Sequence, residues 1–123
     1  MTQRPLVAVV DDDDSVRESL GGLFRSVGFI VRPFASALEF LASADLGITD
    51  CVILDVRMPG MTGLELQQRL VASHPDVPVI FMTAHDDAHT RAQALRGGAV
   101  EYLVKPFSEA ALLEAVQAAL TAE

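Results

Sequence analysis

Several things are scarce in this 123-residue chain, and each scarcity excludes something. There is one cysteine, Cys51, so no intramolecular disulfide can hold the fold. It opens an apolar run and is expected to be a buried, inert thiol. Basic residues are few: nine Lys and Arg stand against 17 Asp and Glu, a formal net charge of −8. The chain lacks the concentrated positive charge that nucleic-acid phosphates or anionic lipid headgroups require. Neither direct nucleic-acid binding nor membrane association is expected. Aromatics make up only 6%, with no tryptophan, so the core must be built of Val, Leu, Ile and Ala. No window approaches the roughly 18 apolar residues of a membrane span. The opening Met-Thr-Gln-Arg-Pro lacks a signal peptide's hydrophobic stretch, which makes the cytoplasm the expected location. Linkers, repeats and low-complexity segments are missing too. Residues 1–123 are expected to form one domain, long enough for a genuine core.

What is present alternates. Leu6 to Val10 is an apolar run that reads as a buried strand, and Asp11-Asp12-Asp13-Asp14 follows it. Val16, Leu20, Leu23, Phe24 and Val27 then share one helical face, closed by Gly28. Ser15 and Glu18 have capping-box spacing, with Asp13 or Asp14 as the competing cap. Phe29 to Arg32 is a short second strand, Ala35 to Leu41 a short helix, and Ala42 to Asp50 a loop. Val52-Ile53-Leu54 ends at Asp55, and Met58-Pro59-Gly60 turns the chain directly afterwards. After Gly63 a helix runs to about Ser73, with Leu66 and Leu70 inward. Val77 to Met82 is the fourth strand, ending in Thr83-Ala84. Asp86 to Arg96 is the fourth helix, with Ala88, Ala92 and Leu95 as a thin inward stripe and Gly97-Gly98 as its stop. Val100 to Val104 is the fifth strand, ending in Lys105-Pro106-Phe107. Ser108 opens a last helix that buries Leu112, Val116, Ala119 and Leu120. Strict alternation of five apolar strands with five helices predicts a doubly wound α/β domain: a five-stranded parallel sheet covered on both faces. The common strand order is 2-1-3-4-5, whose crevice opens between strands 1 and 3.

The strand ends carry the chemistry. Asp11 and Asp12, Asp55, Thr83 and Lys105 would lie side by side on the carboxyl edge of that sheet. Three crowded carboxylates repel by about 4 kcal/mol per pair at 4 Å, taking an effective dielectric near 20. One lysine leaves the group at two negative charges, which a divalent cation balances. Oxygen-only ligands favour Mg²⁺. Such a pocket can receive a phosphoryl group, with cation and lysine on its oxygens and a carboxylate attacking phosphorus. Lys105 is the only lysine beside eight arginines, a compact point charge where one phosphoryl oxygen would need it.

Val-Val-Asp-Asp-Asp-Asp-Ser-Val-Arg, Leu-Asp-Val-Arg-Met-Pro-Gly-Met-Thr-Gly, Met-Thr-Ala-His and Val-Lys-Pro-Phe, in that order, resemble a response-regulator receiver domain of bacterial two-component signalling. The likeness covers roughly Leu6 to Leu120. Gly-Ala-Val-Glu-Tyr-Leu-Val-Lys-Pro-Phe is similar to the FixJ group of transcriptional regulators. The resemblance implies a (βα)₅ flavodoxin-like three-layer sandwich and a sensor histidine kinase as phosphoryl donor. It implies that Asp55 is the phosphoacceptor and that Asp11 and Asp12 hold Mg²⁺, completed by Asp55 and the backbone carbonyl of Arg57. Thr83 would be the switch hydroxyl, Tyr102 the switch aromatic, Lys105 the phosphoryl partner, and Lys105-Pro106 a cis peptide. His85 and the Arg57 side chain would flank the site and modulate phosphoryl lifetime. The face of helix 4, strand 5 and helix 5 would change shape and is the candidate homodimer surface. Beyond its own phosphoryl transfer and autodephosphorylation, no enzyme activity is implied.

Plainer roles compete. Asp13 and Asp14 suit the positive end of a helix, and Asp86 and Asp87 the first turn of another. Thr83 can be an ordinary strand-end hydroxyl and Tyr102 an ordinary strand aromatic; His74 and His89 read as surface residues. Asp11-x-Asp13-x-Ser15 also resembles the first motif of haloacid-dehalogenase-type phosphatases, with Asp11 as nucleophile and Asp13 as acid/base. That alternative leaves Asp55 without a role and lacks an acidic pair after a later strand. A receiver fold used purely as a binding module is the other alternative, opposed by the intact acidic pair, Thr83 and Lys105.

Overall fold

The middle of the sheet is made by runs with almost nothing polar in them. In the computed structural model, which describes residues 4–121, these are β1 (Leu6–Val10), β3 (Cys51–Asp55) and β4 (Val79–Thr83). β2 (Ile30–Phe34) and β5 (Glu101–Val104) flank them, in the order β2-β1-β3-β4-β5 with every pairing parallel. The edges are more polar, as edges must be. β2 carries Pro33, which an edge strand tolerates because one side of it needs no ladder bond.

Side chains alternate across the sheet and feed two cores. Val7, Val9, Ile53, Ile80 and Met82 meet Leu20 and Phe24 of α1 (Asp14–Ser26) and Leu112 and Val116 of α5 (Glu109–Thr121). Val10, Val52, Leu54 and Phe81 meet Phe40 of α2 (Ala37–Leu41), Leu66 and Leu70 of α3 (Gly63–Ser73), and Ala94 of α4 (Ala88–Arg96). Each fully buried Leu, Ile or Phe contributes roughly 1.5–3 kcal/mol. The expected three-layer, doubly wound architecture is therefore present.

Several boundaries differ from expectation for local reasons. Asp13 caps α1, its carboxylate accepting from the N–H groups of Ser15 (2.8 Å) and Val16 (3.4 Å), so the Ser15/Glu18 box does not form. Val27 is not on the buried face. The helix ends at Ser26, Gly28 turns with φ 93°, and Val27 is left 44% exposed. β2 runs on through Pro33 to Phe34, and the expected loop at 42–50 contains a short 3₁₀ turn, Leu46–Ile48. Asp86 and Asp87 stand outside α4, with Asp87 as its cap. His74 is half-buried as the cap residue at the end of α3, while His89 is exposed.

The inward stripe of α4 is the main correction. Ala88, Ala92 and Leu95 face outward, and Ala94 is the helix's buried residue, with Thr90 and Arg91 half-buried. The helix is turned by about one residue's worth of rotation, roughly 100°. Gln67 of α3 accounts for that orientation: its buried side-chain amide donates to the Ala94 carbonyl at 2.8 Å.

Candidate functional site

At the carboxyl ends of β1 and β3 the chain delivers acids into the crevice that doubly wound sheets reserve for ligands. Asp11 directly follows β1 and is wholly buried. Its backbone is gripped from both sides: its N–H donates to the Phe34 carbonyl (3.1 Å), and its own carbonyl accepts from Arg17 Nη1 (2.6 Å). Arg17 also pairs with Asp14. One carboxylate oxygen, Oδ1, accepts from the Asp13 N–H at 2.9 Å. The other, Oδ2, is buried with no hydrogen-bond partner among the described residues, and Lys105 Nζ stands 3.7 Å away.

Asp55 ends β3, half-buried, and its Oδ1 accepts from the Arg57 N–H at 3.2 Å. Asp12 is exposed beside it. One oxygen from each of Asp11, Asp12 and Asp55 lies within 4.8 Å of the others. Burial pushes the Asp55 carboxyl up to about 6, and the charge on Asp11 adds to this against the Arg57 N–H and Lys105. The Asp11 carboxyl is raised as well, again first by burial, with the Asp13 N–H and Lys105 opposing. These are acids short of positive charge. An orphaned buried oxygen beside two more carboxylates fits a hard divalent cation such as Mg²⁺.

Thr83, at the end of β4, is buried; its hydroxyl donates to the His85 carbonyl (3.3 Å) and accepts from the His85 N–H (3.1 Å). His85 itself is exposed, as is the Arg57 side chain. Lys105 follows β5, and its N–H donates to the Thr83 carbonyl at 2.7 Å, tying the two strand ends together. The Lys105–Pro106 peptide bond is cis. Tyr102 lies buried within β5 against Phe81. Cys51 is buried and its thiol is pushed up to about 12, chiefly by burial, which suits an inert role.

Four supporting residues were not legible as such beforehand. Arg17 holds the Asp11 backbone. Gly63 lies so close to β3 that a Cβ there would run into the Asp55 carbonyl, while its N–H donates to the Val56 carbonyl at 2.9 Å. Gln67 fixes α4. Arg91 places its guanidinium over the Tyr102 ring. Only Gly63 had a local signal, its place after Thr62 at the head of a helix.

Fold and site together define a doubly wound signalling-type domain with an acidic, lysine-edged crevice. The chain belongs to the response regulator receiver domain family, which matches residues 7–117. It is 47% identical over 116 residues to nodulation protein W of Bradyrhizobium diazoefficiens, covering 94% of this chain and 51% of that protein. Against the transcriptional regulatory protein FixJ of Azorhizobium caulinodans the identity is 45% over 117 residues, covering 93% and 54%. The crystal structure of FixJ-N superposes with a TM-score of 0.87 at 35% identity, covering 97% of this chain and 95% of that one. The chain spans about half the length of the curated relatives it matches. Family membership does not favour the dehalogenase-type phosphatase alternative. No helix among the described residues is long and apolar enough to cross a membrane.

Proposed function

We propose that residues 1–123 form one receiver domain that works as a phosphorylation-controlled switch, with Asp55 as phosphoacceptor. The observation that carries this is the cluster of three carboxylate oxygens within 4.8 Å, with Lys105 3.7 Å from the orphaned oxygen of Asp11. Asp11, Asp12, Asp55 and the Arg57 carbonyl would hold Mg²⁺, which when bound supplies positive charge for the carboxylates and the phosphoryl oxygens. Ionised Asp55 attacks the phosphorus of a phosphohistidine presented by a sensor histidine kinase. The new O–P bond forms as the N–P bond breaks, and the imidazole nitrogen keeps the electron pair. Lys105 holds a phosphoryl oxygen and stabilises charge in transit. Water later hydrolyses the acyl phosphate, returning the carboxylate and inorganic phosphate. His85 and Arg57 flank the acceptor and set how long it lasts.

The signal leaves through Thr83. Its hydroxyl trades the His85 backbone for a phosphoryl oxygen, a contact that only the phosphorylated state offers. The β4–α4 connection moves with it, and Tyr102 and the α4–β5–α5 face respond. Leu95 and Val100, 44% and 41% exposed at that face, support its use as a homodimer surface. Sedimentation showing a monomer both with and without beryllofluoride would remove the dimer. Control of transcription is the output that the FixJ likeness supports, and the working compartment is the cytoplasm.

The test is labelling by a small phosphodonor. Mg²⁺-dependent label on the wild type and none on Asp55→Asn is expected; equal labelling of both would refute the proposal. No Mg²⁺-dependent label at all would favour the binding module.

A further inference from the structure

Tyr102 is buried, yet hydrogen bonding is not what keeps it there. Its hydroxyl is buried without a partner among the described residues. What touches the ring is Phe81, at 6.3 Å between centroids, and the Arg91 guanidinium, 5.0 Å above the ring centre. Arg91 belongs to α4, whose buried residue is Ala94. Among the described residues its side chain makes no ion pair and no hydrogen bond, and its guanidinium lies against the ring face. A half-buried cation over an aromatic face is attracted by the ring's negative quadrupole. Thr83, meanwhile, commits its hydroxyl to the His85 backbone. The ring is therefore seated inside without any help from Thr83.

We propose that Arg91 is a latch: it holds Tyr102 inward in the unphosphorylated protein and ties α4 to β5 through the ring. Arg91 acts through Tyr102 and is a positioning residue. This deepens the proposed function, since it takes Tyr102 to be the switch aromatic, but its test needs neither Mg²⁺ nor a phosphodonor. Its failure would leave the labelling result untouched.

Tyr102 is the only tyrosine, and there is no tryptophan, so intrinsic emission reports on this ring alone. Acrylamide quenching is measured on the unphosphorylated wild type, Arg91→Ala and Arg91→Lys, with circular dichroism confirming that each is folded. The latch predicts weak quenching of the wild type. It predicts a quenching constant about fivefold higher in Arg91→Ala, the order of change a single cation–π contact supports. Arg91→Lys restores the cation and should recover most of the protection. Equal quenching of wild type and Arg91→Ala would overturn the latch, as would a wild type quenched like free N-acetyltyrosinamide. If Arg91→Ala does not fold, Arg91→Gln replaces it with the same prediction, since it keeps the stem and removes the charge.

Discussion

The β1–β3 rim and the α4–β5 edge belong to one sheet but are held in opposite ways. Asp11 and Asp55 emerge from strands buried on both faces, with the Asp11 backbone clamped by Phe34 and Arg17 and Gly63 pressed against the Asp55 carbonyl. Across the sheet, α4 buries Ala94 and little else, and is held by one amide hydrogen bond from Gln67 and one guanidinium on Tyr102. Phosphoryl chemistry needs groups fixed to a fraction of an ångström, while signalling needs an element whose position small free energies can change. In the proposed function the rim serves the first and the edge the second.

That contrast can be broken by mutation. Ile53→Ala, in the strand that delivers Asp55, should destabilise by about 2–5 kcal/mol, read from urea unfolding. A loss well below 1 kcal/mol would mean the rim is not rigidly packed. Gln67→Ala should cost about 1–3 kcal/mol and speed hydrogen exchange of α4 amides well before those of β3. Uniform acceleration across the sheet would show that α4 is not a separate, looser unit.

Asp55 offers a pH test. Burial and Asp11 raise its carboxyl from 3.8 to about 6 in the folded protein, so folding favours the protonated form. The stability this contributes is complete below 3.8 and is lost as pH rises through about 6. Without Mg²⁺, Asp55→Asn should therefore exceed the wild type in stability above that window by about 1 kcal/mol, after allowance for solvent screening. The gap should close in acid, and thermal unfolding across pH measures it. Smallest of all, Leu95→Ala should change stability by no more than about 0.5 kcal/mol, because the side chain faces solvent. A loss of 2 kcal/mol or more, on the order expected for a buried leucine, would restore the inward stripe.

The rim was readable from the chain and the edge was not, for a physical reason. Leu6 to Val10 and Val52 to Leu54 have no competing periodicity, so the residues ending them, Asp11 and Asp55, could be placed without coordinates. Thr83 and Lys105 followed from the same logic. Helix α4 carries alanines at 88, 92 and 94 on a polar background, and this composition supports more than one stripe. Its rotation depends on Gln67, 27 residues away in sequence, and on Arg91 meeting a ring in the next strand. Contacts of that range leave no local pattern. Arg17 was invisible for a related reason, because its partner is a backbone carbonyl.

The most direct test of the central claim is to map the acyl phosphate on the protein labelled with a small phosphodonor and Mg²⁺. The label is predicted on Asp55, at the end of β3. Label on Asp11 instead would contradict the account and revive the phosphatase-like alternative.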